Sequence, residues 1–213
     1  MMHMQDGLKI VNLGIATLKN VNLQIEPGQC MGLTGPSGTG KSLLLRALAD
    51  LDPHEGGMWL DGQTAEEMPA PQWRRQVGLL PAESAWWHDK VGPHFNNLPS
   101  EWLQMLGFDA KVMDWDISRL SSGERQRLAL LRLLALQPRV LLLDEPTANL
   151  DRTNTQRVES LLTSYRRQRT LIMIWVSHDL DQLQRNCAPI YEIETDRLVP
   201  FQDRAALVGQ GGQ

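Results

Sequence analysis

The spacing Gly35-Pro36-Ser37-Gly38-Thr39-Gly40-Lys41-Ser42 constrains this chain more than any other stretch. It is G-x-x-x-x-G-K-S, the pattern of a phosphate-binding P-loop, and it ties fold to chemistry. A polyphosphate needs several backbone N–H groups converging on it, and glycines let a loop curl that tightly without Cβ clashes. In such a loop Lys41 reaches the β- and γ-phosphates and the Ser42 hydroxyl sits on Mg²⁺. A Gly-rich turn could carry the pattern with no ligand, but the flanks argue against that. Cys30-Met31-Gly32-Leu33-Thr34 reads as a buried strand entering the loop. Leu43-Leu44-Leu45-Arg46-Ala47-Leu48 reads as a helix leaving it, with its N-terminal dipole on the phosphates.

The rest of the chain alternates strand with helix, which predicts an α/β fold with a mostly parallel, helix-covered sheet. Leu8 to Asn12 and Leu18 to Ile25 read as strands, followed by a turn at Glu26-Pro27-Gly28-Gln29. After a break at 52–57, Met58-Trp59-Leu60 and Asp61-Gly62 suggest a short strand and hairpin turn. Val77 to Pro81 is a further short strand. Between 83 and 120 the composition shifts, with Trp86, Trp87, Trp102, Trp115, Pro93 and Pro99. This stretch reads as a small inserted helical lobe with the tryptophans as its filler, or with the Trp86-Trp87 pair lining a groove for a partner helix. Helices are expected from Ser122 to Leu136, Thr153 to Arg166 and Asp179 to Asn186, and buried strands at Val140 to Leu143 and Thr170 to Val176. The tail from Gln210 is expected to be disordered.

Three further elements carry chemistry. Val140-Leu141-Leu142-Leu143-Asp144-Glu145 puts two carboxylates at the end of a buried strand, where open parallel sheets bind ligands. Asp144 is placed to hold Mg²⁺ opposite Ser42, and Glu145 to orient or deprotonate the attacking water. An acidic helix cap before Pro146 is the bland alternative. Leu120-Ser121-Ser122-Gly123-Glu124 contains a capping box, Ser121 with Glu124, which alone says only that a helix begins. Its serines and free N–H groups also make an anion site. A chain with its own P-loop has no evident need of that site, so it is expected to serve the nucleotide of another copy. Ser177-His178-Asp179 ends the next strand at the same sheet edge, which puts His178 in reach of a γ-phosphate.

These residues, in this order, resemble the ATP-binding cassette (ABC) ATPases, the nucleotide-binding subunits of ABC transporters. The resemblance covers essentially all 213 residues and is carried by the P-loop (Walker A), the signature 120–124, Walker B 141–144, Glu145, the D-loop Ala148-Asn149-Leu150-Asp151 and the switch His178. It implies a P-loop NTPase with a RecA-like core sheet, a small antiparallel β subdomain and an inserted helical subdomain. The whole would be one domain, with the core at 1–82 and 121–213 and the helical subdomain at 83–120. It implies that two copies pack head to tail around two ATP-Mg²⁺. Gly35, Pro36, Ser37, Gly38, Thr39, Gly40, Lys41, Ser42 and Leu43 would then hold one nucleotide, while Ser121, Ser122 and Gly123 contact the partner's and Asp151 communicates across the interface. Glu145 and His178 would be catalytic, and the 83–120 segment would meet a separate transmembrane permease.

Three departures stand out. Ala82 occupies the place of the family's Q-loop Gln, which touches Mg²⁺ and water, so Glu83 is the candidate substitute. The adenine-stacking aromatic expected near Leu13 to Thr17 is missing, and Ser122 replaces the first signature glycine. The leading expectation is an ATPase driving a separate permease, similar to single-domain bacterial subunits including those of the iron-export type. The alternatives are a soluble ABC ATPase acting on a protein assembly and a low-turnover nucleotide sensor. A net charge of −4 gives no reason to expect a nucleic-acid surface. No stretch approaches the roughly 18 apolar residues of a membrane span, and the start of the chain has no signal-peptide core. The expected location is cytoplasmic, on the cytoplasmic face of the (inner) membrane through the permease. Cys30 and Cys187, with no C-x-x-C, suggest buried free thiols in a reducing compartment.

Overall fold

The computed structural model describes residues 7–202, so the expectation of a disordered tail from Gln210 lies outside the described residues. Two sheets organise the chain. In the first, β1 (Leu8–Ile15) pairs antiparallel with β2 (Leu18–Ile25) and β4 (Glu55–Leu60), and β4 pairs with the two-residue β5 (Gln63–Thr64). Period-two patterning makes these strands. In β2, Leu18, Val21, Leu23 and Ile25 are buried while Lys19, Asn22 and Gln24 face out.

The second sheet holds β3 (Cys30–Thr34), β6 (Val77–Leu80), β7 (Val140–Asp144), β8 (Ile172–Val176), β9 (Ile190–Glu194) and β10 (Arg197–Pro200). Its order is β10-β9-β3-β8-β7-β6, parallel except for β10. Every residue of β3, β7 and β8 is buried, which is why their sequences do not alternate. Burying Leu141, Leu142 and Leu143 contributes roughly 1.5–3 kcal/mol each. Register then fixes the site. Val176 lies opposite both Leu33 and Asp144, so β3, β8 and β7 end level with one another. The loops leaving these three strands therefore meet at one edge.

Among the described residues six α-helices complete the fold: α1 (Lys41–Leu48), α2 (Ala70–Gln76), α3 (Ser100–Met105), α4 (Ser122–Ala135), α5 (Arg152–Arg169) and α6 (Leu180–Asn186). Leu44, Leu45 and Leu48 of α1 share one core with Ile10 of β1 and Leu142 and Ile174 of the parallel sheet. The two sheets are thus packed as a unit. Trp73 of α2 donates its indole N–H to the Leu48 carbonyl (2.9 Å), and Arg139 pairs with Asp61 (2.8 Å) across the same junction. Among the described residues no helix is long and apolar enough to cross a membrane. Both cysteines are free and buried.

The structure differs from the sequence reading in several places. Helix α2 and strands β9 and β10 were not anticipated. β4 begins at Glu55, inside the expected break, and takes Gly57 into the strand at a place where a Cβ would strike the Trp59 ring. The 83–120 segment is only sparsely helical: α3 has six residues, and the remaining regular structure is three 3-10 turns. Pro93 and Pro99 and a left-handed Gly107 keep its helices short. Its tryptophans border its core, with Trp86, Trp102 and Trp115 packed against it, but do not form its centre. Leu103, Leu106, Phe108, Val112 and Val91 are buried there, whereas Trp86, Trp102 and Trp115 are half-buried and Trp87 is 65% exposed. The fully buried tryptophans are Trp73 and Trp175, in the main fold. Trp86 and Trp87 instead clamp the Arg132 guanidinium of α4, which lies 4.6 Å from each ring centre.

Candidate functional site

The site is assembled where β3, β8 and β7 end. A cavity of about 340 Å³ lies there, lined by Ser37, Gly38, Gly40, Lys41, Ser42, Leu43, Ala82, Asp144, Glu145 and His178. Gly35, Gly38 and Gly40 all have positive φ (132°, 79° and 103°), so the curl expected from the sequence is what the backbone adopts. A Cβ at Gly38 would meet only open space, whereas one at Gly40 would strike the side chain of Thr17. The loop therefore stays open toward the cavity and is braced from behind by the β1–β2 turn. Thr39 donates its hydroxyl to the Pro36 carbonyl at 2.9 Å and stiffens the curl.

Lys41 is 7% exposed, and its ammonium donates to the carbonyls of Gly35 and Pro36 at 2.8 Å each. Burial lowers its pKa, while Glu145 and Asp144 nearby raise it. The cation thus stands ready above the loop, with two carboxylates for company. Asp144 is buried at the end of β7. Glu145 follows it with φ 50°, a left-handed conformation that costs roughly 1–3 kcal/mol for a non-glycine residue. The surrounding structure imposes it: Glu145 N–H donates to the Val176 carbonyl of β8 (3.1 Å), and Pro146 comes directly after.

Glu145 Oε1 is enclosed, lies 3.5 Å from His178 Nε2 and has no hydrogen-bond partner. Burial raises the Glu145 pKa above the ordinary carboxylate range, and Asp144 adds to that. His178 and Lys41 pull the other way. An enclosed acceptor of raised basicity, aimed into a cavity beside a lysine, suits a group that takes a proton from water.

The donor set fits a nucleotide with Mg²⁺. Ser42 and Asp144 line the cavity and are hard oxygen ligands. Among the described residues no cluster of three or more His, Cys, Asp or Glu could hold a metal, so a bound Mg²⁺ would lean on phosphate and water for the rest of its shell. Glu83 is exposed and does not line the cavity, but Ala82 does. Gln126 of α4 donates to the Pro81 carbonyl at 3.2 Å, tying the turn before Ala82 to the signature helix. Among the described residues no Phe, Tyr or Trp lines the cavity, and the β1–β2 turn beside it is Ala16-Thr17. A larger cavity of about 540 Å³, near Asn12, Lys19, His54 and Glu55, shares no lining residue with the P-loop cavity and lacks its convergence of groups.

The remaining expected site residues form a second group. Ser121 caps α4 in a complete capping box: its hydroxyl accepts from Glu124 N–H (3.2 Å), and its own N–H donates to Glu124 Oε2 (2.8 Å). Ser121 and Ser122 are exposed at this helix start. Gly123 packs against the Asn149 carbonyl and Leu150, which a Cβ would press at 3.0 Å. Asp151 caps α5, accepting from Asn154 N–H at 2.9 Å, a bond that holds its carboxyl below the usual range. None of Ser121, Ser122, Gly123 and Asp151 lines the P-loop cavity. One residue packed behind the site escaped the sequence reading, the buried Gln182, which bonds to Thr147, Ser177 and Glu159. Its partners are far apart in sequence, and no local pattern marks it.

Comparison with known proteins identifies the family and the fold. The family profile described as "ABC transporter" matches residues 18–148. "ABC transporter I family member 17" of Arabidopsis thaliana is 33% identical over 193 residues, covering 84% of this chain and 73% of that protein. The "probable iron export ATP-binding protein FetA" of Escherichia coli K12 is 31% identical over 182 residues, covering 78% and 80%. The "methionine import ATP-binding protein MetN" of the same strain is 33% identical over 204 residues, covering 87% and 59%. The fold matches a bacterial Atm1-family ABC exporter with ATP bound, with a TM-score of 0.83 at 22% identity over the whole of this chain; it spans 41% of that structure's chain.

Proposed function

The chain belongs to the ABC transporter family as an ATP-binding subunit and ATPase, and from that premise we propose that two copies close head to tail on two ATP to drive a separate membrane permease. The observation that supports this most is the level ending of β3, β7 and β8. It sets Lys41, Asp144, Glu145 and His178 around one cavity while Ser121, Ser122, Gly123 and Asp151 stand outside it. A second copy is the simplest source of a nucleotide for that outer group.

In the proposed cycle the P-loop N–H groups and Lys41 hold the phosphates, with Leu43 at the helix start. Ser42 and Asp144 would hold Mg²⁺; Glu83, outside the cavity lining, is left out of that set. When bound, Mg²⁺ neutralises charge that develops on the transferred phosphoryl oxygens. Glu145 orients the attacking water and receives its proton at Oε1, and His178 contacts the γ-phosphate. Asp151 reports closure to the other half. The 83–120 segment with its exposed Trp87 meets the permease, which would place the protein on the cytoplasmic membrane face. Cargo and direction then depend on the permease, since relatives of like identity are named for iron export and for methionine import.

Capture of Glu145→Gln protein with ATP from detergent-solubilised cells tests the proposal. A multi-span membrane protein recovered in near-equal amount is the expected result. Recovery of soluble partners alone would overturn the permease reading in favour of a soluble ABC ATPase.

The absent aromatic has its own consequence. Base stacking on a ring contributes roughly 1–3 kcal/mol per base, so binding here should be weak and nearly indifferent to the base. ATP and GTP are expected to give KM values within about fivefold of each other. A low-micromolar KM with strong preference for ATP would contradict this.

A further inference from the structure

We propose that Gln182 is a positioning residue for hydrolysis: its buried carboxamide holds the loop that carries Glu145 and the loop that carries His178 in one register, and only an amide fits that place. The inference rests on the ATPase reading above. Gln182 sits in α6 and is 1% exposed. Its side-chain oxygen accepts from Thr147 Oγ1 at 3.0 Å and from Ser177 Oγ at 3.2 Å. Its Nε2 donates to Glu159 Oε1 of α5 at 2.8 Å, an oxygen that also takes Arg185 Nη2 at 3.2 Å.

Two of those three partners belong to the site's own loops. Thr147 is two residues past Glu145, in the turn closed by Ala148 N–H to the Glu145 carbonyl (3.3 Å) and Leu150 N–H to the Thr147 carbonyl (3.1 Å). Ser177 immediately precedes His178, and its oxygen also accepts from Asp179 N–H at 3.1 Å. The third partner, Glu159, stands on the helix that Asp151 caps. One side chain therefore links the segments bearing Glu145, His178 and Asp151. A buried amide always needs partners, but scaffold carbonyls would supply them as well. Here the partners are the hydroxyls that set where the two loops lie.

The chemistry of the place is specific. The two hydroxyls each give a proton, so position 182 must accept twice; Glu159 is a carboxylate, so it must also donate. An amide does both. A carboxylate at 182 would face that of Glu159 at hydrogen-bond distance, and a thioether would neither accept well nor donate.

The test compares the wild type with Q182E, E159Q, Q182E/E159Q, Q182M and Q182M/E159Q, measuring kcat and KM for ATP together with thermal midpoints. Q182E and Q182M are expected to lower kcat by about 10- to 100-fold, the range for misplaced catalytic groups. KM should move less than about threefold, because the phosphates are held by the P-loop. Adding E159Q to Q182E exchanges donor and acceptor and should return kcat to within about threefold of wild type, whereas adding it to Q182M should not. A folded Q182E with wild-type kcat, a loss of rate matching only the unfolded fraction at the assay temperature, or a double variant as slow as Q182E would each overturn the proposal. Wild-type protein with no ATP turnover would instead sink the hydrolytic reading, and the inference with it.

Discussion

Glu145→Gln is expected to cut ATP turnover by about 10²- to 10⁴-fold, the contribution of a well-placed general base, while nucleotide binding persists. The amide keeps the shape of the carboxylate but cannot take a proton. Lys41 and the P-loop, which would bind the phosphates, are untouched by the change. Phosphate release in a single turnover, set beside retention of labelled ATP on gel filtration, separates the two effects. Loss of both together would mean that Glu145 acts in binding or folding. The wild type carries a matching signature in its pH profile. Burial holds the Glu145 pKa above the carboxylate range, and a base works only when ionised. kcat/KM, which reports the free enzyme, should therefore fall as pH drops through that raised pKa, at a higher pH than an exposed glutamate would give. An acid limb at ordinary carboxylate pH would argue for a different base.

Lys41→Ala is the second large effect. The ammonium is buried, with both hydrogen-bond acceptors on the loop it guards, so no neighbour is placed to replace it. Removing one pre-organised group that stabilises developing charge costs about 10²–10³ in rate. kcat/KM for ATP should fall by at least that, with binding weakened when monitored by calorimetry. A variant within tenfold of wild type would show that the helix N-terminus and loop amides suffice.

The elements that position the chemistry were readable because each is a short local string at a strand end. G-x-x-x-x-G-K-S, Leu143-Asp144-Glu145 and Val176-Ser177-His178 need only their neighbours to be recognised, and the parallel register does the rest. The elements that sequence reasoning missed lack local marking. Helix α2 buries only Trp73, too little for a periodic signal. β9 is half-buried at most positions and earns its place by pairing with β3 from about 160 residues away in sequence, Gly32 opposite Ile190 among others. The tryptophans misled because bulk was equated with burial. Trp86 and Trp87 spend their faces on Arg132, while slimmer side chains such as Val91 and Leu106 fill the interior. Gln182 was invisible for the same reason as β9, since its three partners come from three separate stretches.

The level ending of β3, β7 and β8 also bears on how such a chain can vary over evolutionary time. Deleting one residue inside β8 would draw His178 back by about 3.3 Å and turn the remaining inward side chains to the opposite face. The same holds for β7 and Glu145. Substitution within these strands can be absorbed by neighbours of similar volume, but insertion and deletion cannot. The 83–120 segment stands outside that lattice of paired ends, and there a family of such proteins can lengthen, shorten and specialise without moving the chemistry, whereas the Ala16-Thr17 turn, pressed against Gly40 of the P-loop, cannot.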